Sequence, residues 1–95
     1  MSAPNPDAEA LTTDLQAGPG GVMTEEEGVI TGDVTVRTEA TDDGHARVRV
    51  QYTGAEEWYT LTGSPTPFPA TGLADLHARV LAAVAVGGAA EVPQT

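Results

Sequence analysis

Three arginines and the only tryptophan are the residues of this sequence with the clearest capacity for chemistry. Arg37, Arg47 and Arg49 are three of the four basic residues, and Trp58 is the single tryptophan. Guanidinium groups bind carboxylate and phosphate oxygens through paired N–H donors, and an indole ring attracts a cation lying over its face. Arginine and tryptophan are also enriched among the residues that dominate protein–protein binding. If one face of the fold gathers these four side chains, it is a candidate binding surface.

The other candidates for chemistry have simpler explanations. His77 lies on the apolar side of a predicted helix, where a histidine with a satisfied hydrogen bond is the ordinary finding. The loop Asp42-Asp43-Gly44-His45 supplies too few positioned ligands to hold a metal. The chain has no cysteine, no serine–histidine arrangement and no phosphate-binding glycine pattern. We therefore predict no catalytic residue, no cofactor and no metal site.

The alternation of apolar and polar residues predicts where the arginines lie. Alternating apolar and polar residues predict three antiparallel strands, roughly at residues 29–41, 45–53 and 56–63, with a bulge at Gly32. The even-numbered apolar residues of the first two strands then form the core face. The three arginines are odd-numbered and project from the opposite face, which is in contact with solvent.

The lengths of the loops determine the register. A three-residue loop, Asp42-Asp43-Gly44, keeps the valines of both strands on one face. It predicts three cross-strand pairs: Val36 with Val50, Val34 with Tyr52, and Glu39 with Arg47.

Two registers are open for the second hairpin. A two-residue Gly54-Ala55 loop pairs Val50 with Tyr59 and Val48 with Leu61, so that Trp58 points outward beside Gln51 and Arg49. A three-residue loop would bury Trp58 against Tyr52 and expose Tyr59 and Leu61. The first register is favoured because it places Leu61, rather than Thr60, in the core.

Helices are predicted on both sides of the strands. Asn5, Pro6 and Gly18 have the positions of an N-cap, a first helical residue and a stop, and they predict a short N-terminal helix. Leucines and valines at helical spacing predict a second helix at about 72–86, with Thr71 as N-cap and an Asp75–Arg79 pair on its outer side.

The predicted fold is a single α+β domain over residues 6–89. It has the order α-β-β-β-α, with the C-terminal helix packed on the valine face of a three-stranded antiparallel sheet. Residues 1–5 and 90–95 are predicted to be flexible tails because they are polar and lack a periodic apolar pattern.

The charge of the chain restricts its partners. Fourteen acidic residues and four arginines give a net charge of −10. Such a field opposes nucleic-acid binding and contact with anionic membranes. The sequence has no signal-peptide pattern and no apolar run long enough to span a bilayer, so we predict a cytoplasmic protein.

We predict a small acidic, non-enzymatic binding or regulatory protein that acts through protein–protein contacts. The predicted contact residues on the exposed sheet face are Arg37, Arg47, Arg49, Gln51 and Trp58. The partner is another protein, a second copy of this chain in a homodimer, or both. A regulatory, immunity or antitoxin-like role and a DNA-mimic role all fit this class. The alternative is a protein, or an enzyme, that binds a small molecule or an anionic ligand with the same arginines and tryptophan.

Overall fold

The structure, a computed structural model, describes residues 10–93. Seven strands precede one helix: β1 (Ala10–Gln16), β2 (Val22–Thr24), β3 (Gly28–Ile30), β4 (Asp33–Ala40), β5 (His45–Tyr52), β6 (Tyr59–Thr60), β7 (Thr66–Pro67) and α1 (Leu73–Val86). The predicted α+β class, with antiparallel sheets and a C-terminal helix, is confirmed.

The main sheet has five strands, so the prediction of a three-stranded sheet is wrong. Its order is β1-β4-β5-β6, and β7 pairs with β5 on the same side as β6. The strands β2 and β3 form a separate two-stranded sheet. The predicted strand at 29–41 is divided between β3 and β4, and Gly32, with φ of 88°, lies in the break.

The β4–β5 hairpin has the predicted register. Val36 lies opposite Val50, Val34 opposite Tyr52, and Glu39 opposite Arg47. The amide of Thr41 donates to the carbonyl of His45 at 2.8 Å, and Gly44 adopts φ of 84°, which an L-residue would adopt only with strain. The odd length of the loop and the glycine at its end were sufficient to predict this register, because both strands have one apolar face.

The N-terminal helix is not found in the described residues. Ala10–Gln16 forms β1, which pairs antiparallel with β4 and places Leu15 opposite Val34. The start of the predicted helix, residues 5–9, and the predicted tail at 1–5 lie outside the described residues. Leu11 and Leu15 pack against the core from β1. A spacing of four places two residues on one face of a strand as well as on one face of a helix, so the pattern was ambiguous.

The second hairpin has the favoured pairing but a much shorter strand. Val50 lies opposite Tyr59, and the amide of Leu61 donates to the carbonyl of Val48 at 3.1 Å. Leu61 is fully buried, which excludes the three-residue loop. The turn itself is shifted by one residue, because the amide of Ala55 donates to the carbonyl of Tyr52 at 2.9 Å. Tyr52, predicted to be in the core, is 41% exposed.

The core lies between α1 and one face of the five-stranded sheet. The predicted helical stripe is buried, and the valines of β4 and β5 oppose it. Arg79 Nε donates to Asp75 Oδ2 at 3.0 Å, as predicted. Thr71 is not the N-cap: Gly72 has that position, and the Thr71 hydroxyl bonds to Asp75 instead.

The segment after α1 closes the core, in contrast to the predicted tail at 90–95. Ala90 and Val92 are 8% and 3% exposed. Ala90 pairs in parallel with Val22 of β2, and the amide of Val92 donates to the carbonyl of Thr62 at 2.9 Å. These contacts join the end of the described chain to β2 and to the residues after β6.

Glycines allow two backbone segments, residues 18–21 and residues 84–90, to approach each other closely. We call this contact the glycine clamp. The Gly18 amide donates to the carbonyl of Val84 at 2.9 Å, and the Gly88 amide donates to the carbonyl of Pro19 at 2.6 Å. A side chain at Gly18 or Gly87 would collide with backbone atoms of the opposite segment. The clamp therefore fixes the C-terminal end of α1 against the chain that follows β1.

Candidate functional site

The face of the main sheet opposite α1, which we call the outer face, carries the candidate site. Val34, Val36 and Thr38 of β4 are buried on the helix side. Arg37 and Glu39 alternate with them and point to the outer face. Residues paired across an antiparallel ladder share a face, so Arg49 and Arg47, opposite Arg37 and Glu39, lie there too.

Three guanidinium groups converge on one carboxylate oxygen, Oε1 of Glu39. Arg49 Nη2 lies 2.7 Å from it, Arg47 Nη2 and Nε lie at 2.9 and 3.1 Å, and Arg37 Nε lies at 3.7 Å. We call these four residues the arginine cluster. One negative charge shared by three positive charges leaves the cluster with a formal charge of +2, in a chain with a net charge of −10. The outer face therefore has a cationic region within an acidic protein.

Trp58 extends the arginine cluster toward β6. The guanidinium carbon of Arg49 lies 5.5 Å from the centre of the indole ring, within the range of a cation–π contact. The predicted outward position of Trp58 beside Arg49 matches this geometry. Arg49 Nε is buried and has no hydrogen-bond partner among the described residues. Arg49 is therefore held by the Glu39 carboxylate and by the indole ring.

The electrostatic environment keeps Glu39 ionised. Burial alone would raise the pKa of Glu39, but hydrogen bonds and Coulombic attraction from Arg47 and Arg49 outweigh it and hold the pKa below its usual value. The side chain of Glu39 is only 16% exposed, whereas those of Arg37 and Arg47 are 36% and 48% exposed. The arrangement thus presents guanidinium groups outward around a shielded carboxylate.

Hydrogen bonds flank the arginine cluster on both sides. Thr12 of β1 accepts a long hydrogen bond of 3.4 Å from Arg37 Nη1. On the other side, Glu26 accepts bonds from the amide and the hydroxyl of Thr60 at 2.6 and 2.7 Å, and these bonds lower the pKa of its carboxyl. Gln51, predicted to be part of the binding surface, is half-buried on the outer face and donates to the carbonyl of Ala55 at 2.9 Å.

Sequence reasoning missed the role of Glu26. It lies in the turn between β2 and β3, 34 residues before Thr60, and the sequence pattern indicated only a solvated acidic loop. A run of three glutamates has no feature that distinguishes the member that will bond to a distant strand. The central role of Glu39 was visible only in part, as the predicted partner of Arg47.

His77 is part of a buried polar contact. It is 7% exposed, and its Nε2 and Nδ1 atoms lie 2.8 Å from the hydroxyls of Thr13 and Thr38. This is the predicted role of a core-edge histidine with satisfied hydrogen bonds. Burial lowers its pKa below the usual 6.5. The contact joins α1 to β1 and β4.

The lowered pKa of His77 predicts a loss of stability in mild acid. Below pH 6.5, the unfolded chain takes up a proton on His77 more readily than the folded chain does, so the free energy of unfolding decreases as the pH falls. For one proton, the slope cannot exceed about 1.4 kcal/mol per pH unit. Urea unfolding between pH 8 and pH 5 measures it.

Two variants test the assignment of that loss to His77. His77→Gln keeps a hydrogen-bonding side chain but does not titrate, and we expect the slope between pH 6.5 and 5 to become shallower. His45→Gln makes the same substitution at the other histidine, which lies beside Asp43 at the surface, and is the variant against which His77→Gln is compared. An unchanged slope in His77→Gln would contradict the assignment.

Other regions of the described chain offer less for chemistry. A shallow depression beside the glycine clamp is lined by backbone, methyl and amide groups of residues 16–20, 31, 32 and 85. Within residues 10–93, no three histidine, aspartate or glutamate side chains gather as metal ligands would. No helix of this part of the chain has the length and apolar character needed to cross a membrane.

Comparison with protein-family models, curated proteins and solved structures found no match to this chain.

Proposed function

We propose that this protein is a small, non-enzymatic binding module whose outer face binds a protein partner through the arginine cluster and Trp58. One observation supports it above all: three of the four basic residues and the only tryptophan of an acidic chain are gathered on one sheet face. Partly desolvated arginine beside an aromatic ring is the composition typical of binding hot spots.

The environment of the cluster favours binding over catalysis. Catalysis by these residues would require a nucleophile or a general base next to the bound substrate. The one carboxylate at the centre, Glu39, is ionised but already accepts hydrogen bonds from Arg47 and Arg49. His77 lies on the other side of the sheet, bonded to two threonines.

Affinity capture from the native host tests the proposal. We expect the wild-type chain to retain a stoichiometric partner, and Trp58→Ala to weaken that association by about 2 kcal/mol, the loss typical of a hot-spot residue. Arg79→Gln is the matched control for Arg47→Gln, because it removes the same charge from α1, away from the outer face. Arg47→Gln should weaken capture, and Arg79→Gln should not.

Folding must be measured in the same variants. Trp58→Ala should cost less than about 1.5 kcal/mol of unfolding free energy, because the ring is half-buried and contacts a surface arginine. Capture that is equal for wild type, Trp58→Ala and Arg47→Gln would refute the proposal.

A second candidate function is supported by the convergence of the guanidinium groups. Three of them lie within 3.7 Å of a single oxygen, as they would around an oxygen of a bound anion. A small anionic ligand is therefore the alternative occupant, and native mass spectrometry of the purified protein would detect it as a bound mass.

We also propose that two copies of this chain associate as a homodimer. The outer side of α1 exposes a set of small apolar residues, Ala78, Ala82, Ala85 and Val86. Sedimentation equilibrium at high micromolar concentration would show a dimer if this surface or the outer face binds a second copy.

A further inference from the structure

The backbone positions of Arg47 and Arg49 repeat along β5 at the interval of alternate side chains in an extended peptide. Arg47 and Arg49 are alternate residues of β5, so their Cα atoms are about 6.7 Å apart along the strand. Arg37 lies opposite Arg49 on β4, about 5 Å to the side. Trp58 lies over Arg49, at the side toward β6.

An extended acidic segment matches this spacing. In an extended chain, alternate side chains point the same way at the same interval of about 6.7 Å. Two carboxylates separated by one residue would therefore lie over the strand positions of Arg47 and Arg49. Each arginine side chain could then turn from Glu39 to one of them, and the planar guanidinium fork suits a carboxylate. We infer that the partner proposed above presents an extended segment with acidic residues at alternate positions. This inference rests on the proposed function.

The flatness of the site favours such a segment over a free phosphate. The arginines project from paired strands whose backbone donors are used along the β4–β5 ladder. Compact phosphate sites usually add backbone N–H groups from a glycine-rich loop or a helix N-terminus. A flat row of side chains instead offers several separate contacts to a ligand that extends along it.

Glu39 occupies the position that a carboxylate of the partner would share. It holds the three guanidinium groups together, but its charge also repels an incoming acid. Glu39→Gln keeps an oxygen that can accept the hydrogen bonds of Arg47 and Arg49 and removes that charge. The cluster then has a formal charge of +3, so the affinity for an acidic segment should rise. A purely structural role for Glu39 would give no such increase.

A peptide titration tests the inference. Trp58 is the only tryptophan, so its fluorescence reports on the site directly. The probe is the capped peptide Glu-Thr-Glu-Thr-Glu, compared with the capped block peptide Glu-Glu-Thr-Thr-Glu, in which no two glutamates are separated by a single residue. Both have the same composition and charge. The titration is run at 0.15 M ionic strength, where a Debye length of about 8 Å screens the distant acidic residues of the chain.

We expect the alternating peptide to bind saturably and more tightly than the block peptide. Glu39→Gln should tighten binding about threefold, since one repelling charge is removed near the ligand. Arg47→Gln should weaken it about tenfold, and Arg79→Gln should leave it unchanged.

Three results would overturn the inference. Equal binding of the two peptides would exclude recognition of an extended acidic register, and tighter binding of inorganic pyrophosphate would indicate a small-anion site. If neither peptide binds but the captured partner still depends on Trp58, the inference fails and the proposed function stands. If capture also becomes independent of Trp58 and Arg47, the proposed function fails with it.

Discussion

Gly87→Ala is expected to lower the free energy of unfolding by about 3 kcal/mol or more, which is a large fraction of the stability of a small domain. Gly87 adopts φ of 83°, and an added Cβ would collide with the backbone of Gly18 and Pro19. That backbone cannot retreat freely, because hydrogen bonds of the glycine clamp hold it on both sides. Urea denaturation followed by far-ultraviolet circular dichroism measures the loss.

Gly44→Ala is the matched control. Gly44 has nearly the same positive φ, 84°, but an added Cβ has open space around it. We expect this change to cost only the strain of a left-handed conformation, about 1 kcal/mol. Equal losses in the two variants would mean that the collision in the clamp is relieved and that the close approach of the backbones is not required.

Truncation after Ala89 should also destabilise the domain strongly, by about 3 kcal/mol, which corresponds to a decrease of roughly 12–24 °C in Tm for a domain of this size. The truncation removes the buried side chains of Ala90 and Val92. It also removes the backbone hydrogen bonds between this segment and residues 21, 23 and 62. A thermal melt of the shortened chain is the measurement.

Point variants separate the contributions of the segment. Val92→Ala leaves the backbone bonds intact and should cost about 1–2 kcal/mol, as expected for a valine in a packed core. Glu91→Ala, at an exposed position between them, should have little effect. A truncated chain that melted at the wild-type temperature would show that residues 90–92 are dispensable.

The hairpin that carries the site was predictable because its information is local. The β4–β5 register follows from alternating valines and from a loop of odd length, and both are visible within some twenty residues of sequence. Once the valines face the core, Arg37, Arg47 and Arg49 must share the other face. The convergence of all three on one oxygen of Glu39 was not predictable, since it depends on side-chain conformations.

The predictions for β1 and for the segment after α1 were less accurate, because both segments contact residues that are distant in the sequence. Leu11 and Leu15 fit a strand and a helix equally well, and pairing with β4 decides for the strand. Ala90 and Val92 are too few to show a period, and their burial comes from pairing with segments some 30 to 70 residues earlier. The exposure of Tyr52 has another cause. Tyr52 is the last residue of β5, where alternation predicts the face to which a side chain points but not how far other residues bury it.

The glycine clamp also sets the order of events during synthesis. A ribosome releases the chain from its N-terminus at roughly 5–20 residues per second, and hairpins between neighbouring strands can pair as soon as they emerge. Residues 18–21 must wait for residues 84–90, so the clamp cannot close until those residues have been synthesised. A nascent chain halted before Gly87 would already have both strands of the arginine-bearing hairpin but would lack the glycines that complete the clamp.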